Sequence, residues 1–110
     1  MLLPMSLDNK TLKTYRSIGH HLNPVVMVAN DLSDNVQAEI DRALSDHELI
    51  KVRIVSDDRE ARKAVIDEIC REHNAEKVQV IGKIVLLYRK ADKASLKPHL
   101  SNISRFSDKA

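Results

Sequence analysis

The chain has 110 residues, a length that fits one domain with one sizeable core. Hydrophobic residues at 43% and charged residues at 31% exclude a disordered chain, and aromatics at only 3% exclude a platform of stacked bases. The net charge is +2, but residues 31–48 hold six acidic and one basic residue while residues 72–110 hold eight basic and four acidic. The chain is therefore expected to present one face suited to a polyanion.

The opening MLLPMSLDNK has no basic n-region and is not expected to be a signal peptide. No apolar run approaches the ~20 residues of a membrane span, so a cytoplasmic protein is expected. A first helix is expected over 7–18, capped by Ser6 and ended by Gly19, with Leu7, Thr11, Tyr15 and Ile18 on its apolar stripe. Lys10, Lys13 and Arg16 make a second, basic stripe on it. The strand PVVMV follows at 24–28. It does not alternate, which predicts burial on both faces as in a central strand. After the loop 29–33, a helix over 35–47 puts Val36, Ile40, Ala43, Leu44 and His47 on one face.

The run ELIKVRIV at 48–55 alternates, with Ile50, Val52 and Ile54 on one side and Leu49, Lys51, Arg53 and Val55 on the other. Asp57 and Glu60 have capping-box spacing before a helix over 59–73 that buries Val65, Ile66, Ile69 and Cys70. In EKVQVIGKIVLLYRK, Gly82-Lys83 suits a two-residue type II′ turn between two strands. Residues 91–110 are polar and basic and are expected to form a loosely ordered tail, with a short helical turn near 100–106. The order α-β-α-β-α-β-β implies an α/β sandwich with a mixed sheet, whose final hairpin supplies an antiparallel pair.

The usual catalytic constellations are missing. His20 and His21 are adjacent and point apart, and no HxxxH or Cys/His cluster suggests a metal. Cys70, the only cysteine, is expected to be a buried structural thiol with no base and orienting group beside it. Gly19 and Gly82 are the only glycines, so a glycine-built phosphate cradle is excluded. No enzyme activity, cofactor or small-molecule substrate is expected. What remains is a set of cations on defined elements, for which backbone phosphates are the natural target.

The strings IGHHLNPVVMV, HELIKVRI and VQVIGKIVLLYR, in this order and spacing, resemble the CRM domain family, and within it the bacterial stand-alone, YhbY-type members. The resemblance covers residues 6–90 and leaves 91–110 as the tail. It implies a single α-β-α-β-α-β-β domain with a four-stranded mixed sheet, similar to the C-terminal domain of translation initiation factor three. It also implies RNA binding, association with precursors of the large ribosomal subunit and a role in their assembly. The family usually carries a GxxG loop between its first strand and second helix, compared with the backbone-clamping loop of KH domains. Here that segment is ANDLSDN: Ala29 stands at the first glycine position, the second glycine is absent, and Asn23 replaces a common lysine.

Asn30 and Asp31 tolerate a left-handed backbone and can still build a tight turn, although Asp31 and Asp34 repel phosphate. RNA contacts are therefore expected at Ala29 and Asn30 in the loop. More of the binding is expected from Arg16, His20, His21, Lys51, Arg53, Lys83 and Arg89, which are inferred from sign and exposure. The expected partners are ribosomal RNA and ribosomal proteins, with the protein itself a monomer. The competing reading is a protein-interaction adaptor whose acidic helix at 34–47, with Asp34, Glu39, Asp41 and Asp46, meets a basic ribosomal protein.

Overall fold

The structure, a computed structural model, describes residues 7–29, 32–92, 94 and 96–107. Its elements in chain order are α1 (Asn9–Gly19), β1 (Pro24–Val28), α2 (Asp34–His47), β2 (Leu49–Ile54), α3 (Arg59–His73), β3 (Glu76–Ile81), β4 (Ile84–Tyr88) and α4 (Asn102–Ser107). The four strands form one mixed sheet in the order β1-β2-β4-β3, with β1 parallel to β2 and the other pairs antiparallel. This is the single α/β domain with a four-stranded mixed sheet that the sequence implied.

Each side of the sheet has its own core. Val26, Val28, Ile50, Val52, Ile54, Val85 and Leu87 face α2 and α3, where Ile40, Leu44, Ile66 and Ile69 meet them. On the other side Leu49, Val78 and Leu86 meet Ile18 of α1, with Tyr15, Tyr88, Ile103 and Phe106 at the margin. The alternation of β2 thus splits as expected, with Leu49 in the second core. Glu48, read as the first strand residue, is instead the buried C-cap of α2 at φ 62°.

The caps differ in detail from the sequence reading. Asp8 Oδ1 accepts from the Thr11 N–H at 2.8 Å and caps α1, while Ser6 lies outside the described residues. Asp58, not Asp57, caps α3, accepting from the Glu60 N–H at 3.1 Å; Asp57 is drawn to Lys83 instead. Asn74 ends α3 in the left-handed region at φ 53°, a conformation Asn tolerates. At the hairpin, Gly82 has φ 58° and Lys83 is not among the positive-φ residues. One left-handed position at the first turn residue is the signature of the expected type II′ turn.

Two expectations change. β1 is an outer strand rather than a central one: Val26 and Val28 are buried, while Val25 and Met27 are exposed on the opposite side. The reason is coverage, since α1 lies over β2 and β3 and α4 over β2, which leaves that side of β1 open. Within the stretch expected to be a loose tail, residues 97–106 are docked. Ser101 Oγ donates to Glu48 Oε1 at 2.6 Å, Asn102 Nδ2 donates to the Leu49 carbonyl at 2.7 Å, and Lys97 pairs with Asp46 at 2.6 Å. A buried carboxylate and a strand carbonyl need partners, and the tail supplies them.

Candidate nucleic-acid interface

The side of the sheet that α1 covers only in part holds most of the expected site. Since Val26 and Val28 point into the main core, Met27 points the other way. The register then runs Met27–Arg53, Arg53–Ile84 and Ile84–Ile81 across four strands. Met27 is 63% and Ile81 60% exposed, so the Arg53 guanidinium rises from an open apolar row. In the next row Lys51 pairs with Leu86, and Leu86 with Gln79. Lys51 is half-buried, its stem lying along apolar surface, as long cationic side chains commonly do.

The C-terminal end of α1 borders these rows. His20 caps that helix and shares a shallow cleft of about 130 Å³ with Lys51, Gln79, Ile81 and Ile84. Gly19 allows this approach: a Cβ there would sit 2.6 Å from Leu86 Cδ2. Lys10, Lys13 and Arg16 are exposed on the same helix and extend the basic stripe away from His20. His21 lies parallel to the Phe106 ring at 6.3 Å and lines, with Lys51, Val25 and Arg105, a second cleft of about 290 Å³. The Arg105 guanidinium lies 5.6 Å from the Phe106 ring centre. Sequence reasoning placed Arg105 in the tail and missed it. The available signal was the i, i+3 apolar pair Ile103 and Phe106, which marks a docking helix.

The remaining expected residues are dispersed. Ala29 is exposed at the end of β1, and Asn30 lies outside the described residues. The loop's exit is anchored by Leu32 against the core and by Ser33, whose Oγ accepts from the Val36 N–H at 3.2 Å and caps α2. Lys83 sits in the hairpin turn, 2.7 Å from Asp57, which is 96% exposed. Such a pair between exposed groups is weak. Arg89 is at the opposite end of β4 and is turned inward. It donates to Asp41 Oδ1, the Asp41 carbonyl, Ser45 Oγ and the His73 carbonyl, at 2.9–3.2 Å. The structure does not bring it together with Lys51 and Arg53.

The acidic helix is also partly committed: Asp41 holds Arg89 and Asp46 holds Lys97, whose hydrogen bond keeps the Asp46 carboxyl below its usual 3.8. Burial pushes the Cys70 thiol up, away from the reactive thiolate. Among the described residues no three or more His, Cys, Asp or Glu are grouped to hold a metal. No described helix is long and apolar enough to cross a membrane.

Comparison with known proteins gives this face a context. A Pseudomonas aeruginosa protein named as a probable RNA-binding protein is 49% identical over 104 residues, 94% of this chain and 98% of its own. A Haemophilus influenzae protein named as RNA-binding is 45% identical over 83% of this chain and 93% of its own. The solution structure of a Staphylococcus aureus protein superposes with a TM-score of 0.70 at 27% identity, covering 80% of this chain and 93% of the other. The model of the CRS1/YhbY (CRM) domain matches residues 7–89, from just before α1 to the end of β4. The chain belongs to the CRS1/YhbY (CRM) domain family.

Proposed function

We propose that this protein binds structured ribosomal RNA, associates with precursors of the large ribosomal subunit in the cytoplasm and assists their assembly. The observation that carries the reading is the open sheet row in which Arg53 stands between Met27 and Ile84, next to Lys51 and His20. Cations on a rigid sheet with no ion pair among the described residues are suited to phosphates, and rigid support makes the contact geometry reproducible. Arg16 and Lys13 on α1 and Arg105 on α4 extend this surface, and Lys83 joins it once released from Asp57. Ala29 borders it at the end of β1, and Asn30 follows Ala29 in sequence as a proposed loop contact. Arg89 acts on folding rather than on RNA. The names of the relatives support RNA as the partner.

The adaptor reading is weaker, because Asp41 and Asp46 of the acidic helix are already paired within the chain. The test is an RNA titration at several salt concentrations with Lys51→Ala/Arg53→Ala. The double variant should bind more weakly, and its salt slope should shrink by roughly 0.7–0.9 per lost contact. An unchanged affinity and slope would remove this face from the reading. In lysate, the protein should sediment with large-subunit precursors and leave them on nuclease treatment. Sedimentation as a free small protein would refute the assembly role.

A further inference from the structure

The opposite side of the sheet carries a second basic feature. A groove of about 590 Å³ lies between the first turns of α3 and the outer strand β3. Arg59, Arg62 and Lys63 line it from the helix and Lys77 from the strand, against one carboxylate, Glu60. Arg59, Arg62, Lys63 and Ile66 follow i, i+3, i+4, i+7 spacing, so they share one face of α3. Val80 lines it from the strand. Val80 pairs with the fully buried Val85, yet is itself 44% exposed.

The Arg59, Lys63 and Lys77 side chains make no ion pair or hydrogen bond among the described residues. Arg62 donates from Nη1 to the Ser56 carbonyl at 2.8 Å, which fixes its guanidinium at the groove and leaves the rest of the donor fork open. Arg59 and Lys63, four residues apart, repel each other, and neither forms an ion pair among the described residues. An external polyanion would neutralise both. The volume falls within the roughly 300–1,000 Å³ of ordinary ligand clefts, room for a short stretch of backbone rather than a duplex.

We propose that this groove is a second RNA-backbone site, on the opposite side of the sheet from Lys51 and Arg53, so that one protein molecule holds two RNA segments at once. The inference rests on the reading of the chain as an RNA-binding protein. Cations on both sides of one rigid sheet bring two segments to a fixed separation, a task that assembly of a folded RNA requires. Phosphate contacts from these cations are independent of sequence.

The test is backbone-amide NMR on the full isotope-labelled chain, titrated with hexauridylate. Two sets of amides should shift, one around Lys63, Lys77 and Val80 and one around Lys51 and Arg53. In Arg59→Ala/Lys63→Ala/Lys77→Ala the first set should stop shifting, while the second titrates as before and reports an intact fold. Groove amides that stay still in the wild type, or that still shift in the triple variant, would overturn the second site. Groove shifts without any at Lys51 and Arg53 would keep the groove as an RNA site, overturn the holding of two segments and remove the sheet face from the proposed function.

Discussion

Arg89 donates to four acceptors on α2 and the end of α3, and only 21% of its side chain is exposed. Charge-assisted bonds of this kind contribute about 1.5–3 kcal/mol, and their loss leaves the His73 and Asp41 carbonyls underused. Arg89→Ala should therefore lower the unfolding free energy by about 2 kcal/mol in urea denaturation, with no change in the salt slope of RNA binding. Beside it, burial pushes the His73 imidazole below its usual 6.5, against the pull of Asp41. The unfolded chain then takes a proton near pH 6.5 before the native His73 does. Its contribution to stability is full above that pH and is lost as the pH falls below it. Asp57 and Asp46 are held low by Lys83 and Lys97, so their contributions are lost only below about 3.8. Denaturation midpoints should thus decline between pH 6.5 and 4, and His73→Gln should flatten that decline.

At the scale of elements, α4 shows where local reading stops. The helical stripe of Ile103 and Phe106 is visible in the sequence, but its dock is not, because Glu48 and Leu49 lie some fifty positions earlier. Ser101→Ala would leave Glu48 Oε1 buried without its 2.6 Å donor and should cost about 1–3 kcal/mol, read from the urea midpoint. Removing residues 97–110 should destabilise the domain further, where a loose tail would leave its stability unchanged. Gly19→Ala sets two effects against each other: Ala gains about 1 kcal/mol of helix propensity, while overpacking against the buried Leu86 costs about 1–3 kcal/mol. A net loss of about 1 kcal/mol is expected in the same assay. The apolar run of β1 was legible as a strand, but not as an outer one, because an exposed Val25 and Met27 look the same in sequence as buried ones.

At the scale of the whole molecule, the acidic helix α2 and the open sheet face lie on opposite sides. α2 packs on the side of the sheet away from Lys51 and Arg53, and the shortest extent of the molecule is 27 Å. Screening acts over about 8 Å at physiological ionic strength. Glu39→Lys, in the middle of α2, should therefore change affinity at the open sheet face by no more than about twofold in a titration at that salt. A large change would mean that RNA reaches around to α2.

The order of helices and strands, the hairpin turn and the apolar faces of α2 and α3 were determined by the sequence itself, because periodicity, caps and turn chemistry are properties of neighbouring residues. The cations on β2 were legible for the same reason, while the departure of the loop from GxxG was legible only through the resemblance to the CRM domain family. The tertiary structure alone decided which cations remain available. Lys51 and Arg53 stand open because α1 covers only part of the sheet, Arg89 is consumed by helices far away in sequence, and Arg105 is brought beside Lys51 by a docked helix. Exposure and partnership depend on packing between distant segments, and no single segment encodes them.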